Sequence, residues 1–232
     1  DMKREIIKEF DMLGDALSTL NAQFSYRLMN LCVKAEPVSL LSIEAMIEGE
    51  PQKLEECARI GKEDDYSFQI FPNYDDDISA LAKAIFMDHP EFKQEMRTMQ
   101  VDISEDESKP DMQDVYYIQV TMPEVDDNRY DVLKNGVKAF YEENKAQMEA
   151  VSAKYDAKFA TLLDGESPED VKKVKEARDK QTKTWYEQRD KIYNDKLQEI
   201  EDAHEKWRHQ QKSNKINRSL DRKSGSAGMP RP

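Results

Sequence analysis

Three histidines, His89, His204 and His209, are the residues of this chain best suited to proton transfer or metal binding near neutral pH. A metal pair on one helix needs two histidines four residues apart, so that both rings share a face. His204 and His209 are five residues apart and do not share a face in that way. The simpler interpretation is that all three histidines lie at the solvated surface. The sequence therefore predicts neither a metal site nor a cofactor.

Two acidic clusters and two cysteines could also do chemistry. Residues 75–77 are three consecutive aspartates without the glycine and distal glutamate of a calcium loop, and capping of a helix that begins at Ile78 explains them more simply. The acidic residues 105–107 are predicted to lie in a solvated loop. Cys32 and Cys57 make neither a disulfide framework nor a zinc pattern, and Cys32 is predicted to be a semi-buried structural thiol.

The sequence lacks the patterns of enzymes and nucleotide-binding proteins. There is no glycine-rich phosphate loop, nucleophile elbow or zinc spacing, and the chain has only 7 glycines. Carboxylates are so numerous that any pair could be proposed as an acid and a base, so they carry no signal. Trp185 and Trp207 lie at helical spacing, which is more typical of core or interface positions than of stacking platforms for bases. We therefore expect a protein that is not an enzyme and holds no cofactor.

Charge is distributed unevenly along the chain. With 36% charged and 38% hydrophobic residues, the composition favours long amphipathic helices. The formal net charge of −13 argues against general nucleic-acid binding. Residues 36–124 hold 22 acidic and 7 basic residues, a net charge of −15, whereas residues 206–232 hold 8 basic residues and one acidic residue, a net charge of +7. The global acidity therefore does not exclude an RNA-facing surface, and such a polarised field can orient the protein on a charged partner.

Membrane and export signals are missing from the sequence. It has no run of about 18 uncharged apolar residues, the length of a membrane-spanning helix. Residues 1–5 lead at once into an amphipathic segment and lack the apolar core of a signal peptide. Two cysteines without a disulfide framework fit a reducing compartment. We expect a cytoplasmic protein that has no membrane partner and is a monomer.

The first of three long helices is predicted from apolar residues that recur every three or four positions between Ile6 and Leu31. A period of about 3.5 residues is typical of the seam of a helical bundle or coiled coil. The helix is predicted to end near Lys34, because Pro37 disfavours helical backbone at the residue before it.

The second and third helices are predicted to be antiparallel neighbours. The second follows Pro123 and stops at residues 164–165, where a glycine can take the left-handed position that ends a helix. The third begins at Ser167, an N-cap followed by a proline and two acidic residues. Polar residues occupy some of the seam positions of both helices, among them Asn144 and Gln181. So short a connection between two helices favours antiparallel packing.

Residues 36–124 predict a small β-rich domain between the first two helices. Its strands are predicted at residues 39–47, 66–71 and 116–122, and its short helix runs from Ile78 to Met87. Residues 102–114 have little apolar content and predict an acidic mobile loop.

The predicted fold class is α+β, with a long three-helix bundle and a small α/β domain inserted between helices 1 and 2. Residues 1–35 and 125–209 form the bundle, and residues 36–124 form the acidic α/β head domain. Residues 210–232 end in a serine-, glycine- and proline-containing segment and predict a basic disordered tail.

The order and spacing of several short motifs resemble the ribosome recycling factor family. Residues 38–41, Val-Ser-Leu-Leu, stand where the family enters its head domain with Pro-Ser-Leu-Leu. Residues 118–123, Ile-Gln-Val-Thr-Met-Pro, are similar to the family's Ile-Arg-Val strand and the Leu-Pro pair that precedes its second helix. Residues 167–170, Ser-Pro-Glu-Asp, resemble the Ser-Glu-Asp start of its third helix. The likeness spans roughly residues 6–205 and implies an L-shaped protein with a three-helix bundle and a β-rich head.

The resemblance implies a translation factor that is not an enzyme. The family's bundle binds RNA of the large ribosomal subunit, and here Arg129, Lys134, Lys138 and Lys34 would make the RNA contacts. A translocating elongation GTPase would push the head domain and aid disassembly of the ribosome after termination. The implied partners are therefore large-subunit RNA and that GTPase.

The sequence departs from the family at its arginines. The family's first helix ends in two arginines that flank Thr-Gly and contact ribosomal RNA, whereas Cys32 and Ala35 stand at those places here. Lysines partly replace the arginines of the family's second helix, but a lysine does not reproduce a bidentate arginine–phosphate contact. The alternative is a recycling-factor-like fold that serves as a protein-interaction or regulatory module and has lost the family's RNA binding. Its acidic insert would then meet a basic partner.

Overall fold

The computed structural model describes residues 3–227, with side chains as far as residue 225, and the chain divides into two compact units. Unit 1 comprises the residues up to Leu31 together with those from Asp126 onward, and unit 2 comprises Cys32–Val125. A helical unit interrupted by a small β-rich unit confirms the α+β class predicted from the sequence.

The helices and strands are as follows, in chain order: α1 (Arg4–Met29), β1 (Glu44–Ile47), β2 (Glu50–Lys53), α2 (Leu54–Cys57), β3 (Ala58–Asp64), β4 (Ser67–Pro72), α3 (Ile78–Asp88), β5 (Lys93–Asp102), β6 (Met112–Thr121), α4 (Asp127–Leu162) and α5 (Pro168–Ala227). Short 3-10 helices lie at Pro37–Ser39 and Asp75–Asp77.

Unit 1 is built from α1, α4 and α5, each of which contacts the other two. The seam predicted for α1 faces the core, where Leu13 and Leu17 are fully buried. The core of this unit contains Ile6, Leu13, Leu17, Met148, Tyr155, Phe159, Leu163 and Val174. Apolar burial along these seams supplies the main driving force for packing three helices whose outer faces are charged.

The junction between α4 and α5 follows its local sequence signals. Gly165 has φ +81°, the left-handed conformation that glycine adopts at low cost. The Ser167 hydroxyl accepts a hydrogen bond of 3.2 Å from the Asp170 backbone N–H and so caps α5. The stop and the start predicted at these residues are therefore confirmed.

The predicted end of α1 near Lys34 is wrong, because the helix ends at Met29. The residues from Cys32 onward belong to unit 2, where the Cys32 and Ala35 side chains are packed into the core. The Ala35 backbone N–H also donates a 2.6 Å hydrogen bond to the Asp65 carbonyl oxygen. Burial of these side chains in the neighbouring domain competes with continuation of the helix.

The prediction of a disordered tail from residue 210 is corrected by α5, which continues as a helix to Ala227. No proline or glycine interrupts the segment between Pro168 and Gly225, and most of its residues are good or neutral helix formers. The side chains from Arg208 to Gly225 are exposed. The segment ahead of the serine-, glycine- and proline-containing end is therefore a solvated helix, while residues 228–232 of the predicted tail lie outside the described residues.

Unit 2 contains a four-stranded antiparallel sheet in the order β3-β4-β6-β5 and a separate β1-β2 hairpin. Its core is lined by Phe68, Ile70, Ile118 and Val120 from the sheet, with Leu81 and Ile85 from α3. The strands predicted near residues 66–71 and 116–122 and the helix predicted from Ile78 are present.

Two predictions for unit 2 are wrong in extent. The strand predicted at residues 39–47 is confined to β1, because the preceding residues form the 3-10 helix at Pro37–Ser39 and a turn. The mobile loop predicted at 102–114 is shortened, because β5 and β6 pair as far as Asp102 and Met112. The Asp102 carboxylate accepts hydrogen bonds from the backbone N–H groups of Ser104 and Asp111, at 2.9 Å and 3.0 Å, and holds the base of the remaining loop.

Candidate nucleic-acid interface

Arg129 is positioned by the cap of α4. The Asp126 side chain accepts a hydrogen bond of 2.8 Å from the Arg129 backbone N–H in the first turn. Arg129 lies on the same helical stripe as Leu133 and Val137, which are buried, and its own Nε atom is enclosed. The guanidinium is therefore only partly accessible to a partner.

Lys134 is held by groups within unit 1. Its Nζ atom lies 3.1 Å from the Tyr130 hydroxyl oxygen and 3.7 Å from Glu201 on α5. The hydrogen bond to Tyr130 is the main cause that raises the pKa of Lys134, and the Glu201 charge adds to it. Lys134 stays protonated, but Glu201 compensates its charge.

Lys138 lies one turn beyond Lys134 on the same face of α4 and is exposed. Within residues 3–225, no acidic side chain pairs with it. Of the three cations predicted on α4, Lys138 is therefore the one whose charge is fully available to an anionic partner.

Lys34 belongs to unit 2, as do Cys32 and Ala35, the two positions that the sequence resemblance compares with arginines. Lys34 is exposed, whereas Cys32 and Ala35 have relative exposures of 3% and 0%. A buried position in an apolar core cannot present a guanidinium to solvent without rearrangement. Cys32 and Ala35 therefore pack the core of unit 2 and present no charge to a partner.

His204 corrects the interpretation of the histidines as solvated surface residues, because it is only 8% exposed. Its Nε2 atom lies 2.7 Å from Asp127 Oδ1, and its ring stacks on Tyr130 with a centroid distance of 4.0 Å. Tyr130 in turn donates a short hydrogen bond to the Glu201 carboxylate. These contacts join the first turns of α4 to α5 by a polar and aromatic cluster of Asp127, Tyr130, Lys134, Glu201 and His204.

Sequence reasoning missed this cluster although a signal was present. Ile200, His204 and Trp207 follow one another at spacings of four and three, which continue the seam of the third helix. The two tryptophans are half-buried, and Trp185 packs against the core of unit 1.

The other candidate groups have structural roles. His89 is 4% exposed, hydrogen-bonds Glu91 at 3.0 Å and stacks on Phe92, whereas His209 is exposed as predicted. The capping predicted for residues 75–77 is wrong in detail, because Asp77 precedes α3 but its side chain makes no capping hydrogen bond. In the part of the chain that the structure describes, no group of three or more histidine, cysteine or acidic side chains could hold a metal ion.

One groove on the surface of unit 1 adds little chemistry. A groove of about 660 Å³ lies between α1 and α4, but its charged walls are neutralised by an ion pair of 2.6 Å between Arg27 and Glu143. Arg27 also lies over the Phe140 ring, 4.4 Å from its centroid. Among the described residues, no helix is both long enough and apolar enough to cross a membrane.

The chain is similar to known proteins in both sequence and fold. The sequence profile of a family described as ribosome recycling factor matches residues 27–200. A structure titled "solution structure of the ribosome recycling factor" has a TM-score of 0.66 and 16% identity, covering 87% of this chain and 100% of that chain. No curated protein sequence matches the chain.

A second solved structure has a TM-score of 0.53 and 16% identity, covering 84% of this chain and 98% of the other. It is titled as models for the T. thermophilus ribosome recycling factor and the E. coli elongation factor G bound to the E. coli post-termination complex. At this identity, both structures support the fold alone. The profile match extends over more than half of the chain and includes parts of both units. The chain therefore belongs to the ribosome recycling factor family.

Proposed function

We propose that this protein binds the large ribosomal subunit and, together with a translocating elongation GTPase, aids disassembly of the ribosome after termination. The observation that carries the proposal is the family match over residues 27–200, which includes the end of α1, the whole of unit 2, α4 and about the first half of α5. A related recycling factor is described with elongation factor G on a post-termination complex, which supports the same pair of partners here.

The proposed RNA contacts fall on α4 and on the start of unit 2. Lys138 would make the main contact on α4, because its ammonium group is exposed and has no acidic partner within the described residues. Arg129 and Lys34 would add to it, whereas Lys134 would contribute less because Glu201 compensates its charge. Work on the ribosome would come from binding and from the displacement of unit 2, with no bond made or broken by the protein.

A second candidate function is a protein-interaction or regulatory module. Burial of Cys32 and Ala35 in unit 2 favours it, since these positions no longer offer arginines to RNA. The net charge of −15 over residues 36–124 would attract a basic protein partner.

Sedimentation with purified large subunits tests the two candidates. We expect the protein to pellet with large subunits at about 50 mM salt and to be released toward about 200 mM, because phosphate contacts are salt-dependent. Lys138→Glu should weaken pelleting, whereas Lys172→Glu, which changes an exposed lysine near the start of α5, should not.

Failure to pellet at low salt, together with co-purification of a basic protein, would replace the first candidate with the second. Equal losses for the Lys138 and Lys172 variants would show that net charge rather than the α4 surface controls binding.

A further inference from the structure

The last part of α5 is a charged helix that leaves the core of unit 1. Trp207 is half-buried, and every side chain from Arg208 to Gly225 is exposed. This stretch contains one acidic residue, Asp221. A helix of this kind sets a regular spacing between its charged side chains, because its backbone hydrogen bonds are made within the helix.

Four cations of this segment share one side of the helix. They are Lys212, Lys215, Arg218 and Arg222, and we name them the basic face. With about 3.6 residues per turn, their spacings of three, three and four keep them within about 120° of the helix circumference and about 4.5 to 6 Å apart along the axis. Asp221 lies outside that arc.

The basic face is not neutralised by the protein's own acids. Among the residues that the structure describes, no ion pair involves any of its four cations. Earlier lysines of α5 differ, because acids one turn away neutralise them at 3.9 Å (Lys173–Glu169), 3.8 Å (Lys183–Glu187) and 2.7 Å (Lys191–Asp195). The charge of the basic face is therefore available to a partner.

We propose that the basic face binds the sugar–phosphate backbone of a nucleic-acid duplex without reading its sequence. A duplex carries about one negative charge per 1.7 Å of its axis, so a regular row of cations can neutralise several phosphates at once. Contacts to phosphate position a protein but carry no sequence information.

A membrane surface fits this segment less well. Ile216 and Leu220, with relative exposures of 60% and 59%, are its only large apolar side chains among the exposed residues 208–225. Helices that bind in the membrane interface bury a broad apolar face together with their basic residues. The segment therefore has the charge for an anionic surface but too little apolar area for insertion.

Fluorescence anisotropy with a labelled mixed-sequence RNA duplex and the full chain tests the proposal. The test variant carries Lys212→Gln, Lys215→Gln and Arg222→Gln, and the control carries Lys173→Gln, Lys183→Gln and Lys191→Gln. Both lose three positive charges from α5, and glutamine keeps a similar helix propensity. Loss of three phosphate contacts should lower the slope of log affinity against log salt by about 2 to 3 and should weaken binding at least tenfold at low salt, whereas the control stays close to the unchanged protein.

Two results would overturn the proposal. One is equal affinity of the test and control variants for the duplex. The other is binding to phosphatidylserine-containing vesicles through the same three residues, with no binding to RNA or DNA duplexes. Two duplexes of unrelated sequence should bind alike. Because this assay contains no ribosome, its result is independent of the sedimentation test of the proposed function.

Discussion

The Gln181 side chain on α5 donates a 2.9 Å hydrogen bond from Nε2 to the Phe10 carbonyl oxygen on α1, and Gly14 leaves the space for it. A Cβ atom built on Gly14 would lie 2.9 Å from the same Nε2 atom. The Gln181 amide therefore occupies the space that a side chain at Gly14 would fill, and this contact fixes the register between α1 and α5.

Gly14→Ala should stabilise the protein much less than a helical Gly→Ala change usually does. Alanine gains about 1 kcal/mol over glycine inside a helix, but here the added methyl group displaces the Gln181 amide and costs about 0.5 to 1.5 kcal/mol of hydrogen bonding. Gly136→Ala is the matched control, because its Cβ would lie 3.6 Å from the nearest Leu31 carbon, an ordinary contact. Urea unfolding should show a gain of about 0.5 to 1 kcal/mol for the control and almost none for Gly14→Ala.

The same pair can be tested by a double-mutant cycle. In a Gln181→Ala background the methyl group of Gly14→Ala has no amide to displace, so the full gain of about 1 kcal/mol should return. Equal effects of Gly14→Ala in both backgrounds would refute the coupling.

His204→Ala should destabilise unit 1 by about 1 to 3 kcal/mol, because it removes a buried ring that stacks on Tyr130 and its hydrogen bond to Asp127. His209→Ala, at an exposed position whose ring pairs with Glu205 at 3.3 Å, should change the free energy of unfolding by less than about 0.5 kcal/mol. Chemical denaturation of both variants measures the difference, and similar values for the two would contradict the burial of His204.

Both cysteine thiols should react slowly with a thiol reagent in the folded protein. Cys32 and Cys57 are each 3% exposed, and burial is the main cause that raises the pKa of Cys57, with Asp77 adding to it. A raised pKa lowers the thiolate fraction at a given pH, so the labelling rate of Cys57 should still be rising with pH above about 8.5, where the labelling rate of an ordinary free thiol levels off. Labelling followed in Cys32→Ser and Cys57→Ser variants separates the two sites, and rapid labelling of either at neutral pH would show that unit 2 opens readily.

Truncation after His209 should reduce the helical circular-dichroism signal but leave the melting temperature of the protein nearly unchanged. The removed side chains as far as residue 225 are exposed and add nothing to the core of unit 1. A large drop in melting temperature would mean that the end of α5 stabilises the bundle.

The helical periodicity of the sequence and its capping residues predicted the helices of unit 1 well, including the polar residues at seam positions. Asn144 and Gln181 each donate an amide hydrogen bond to a backbone carbonyl of α1, at 3.0 Å to Leu20 and 2.9 Å to Phe10. The sequence could identify these two seam positions because seam positions repeat regularly. It could not identify the carbonyl groups that accept the hydrogen bonds, because they lie on another helix.

The predictions failed where long-range packing or solvation decides the structure. α1 ends early because Cys32 and Ala35 are buried in unit 2, which no local signal reveals. The strand β5 was missed because its polar residues lack regular alternation, and pairing with β6 determines its state. The RNA contacts proposed for Arg129, Lys134, Lys138 and Lys34 stay predictions, although the structure distinguishes the paired Lys134 from the unpaired Lys138.

Ribosome disassembly is the most direct measure of the proposed function. Post-termination ribosomes would be mixed with this protein, the translocating GTPase and GTP, and subunit separation followed by light scattering. The proposal predicts a fall in scattering that requires both proteins and is slowed by Lys138→Glu but not by Lys172→Glu. No change in scattering, under conditions where an established recycling factor splits the same ribosomes, would contradict it.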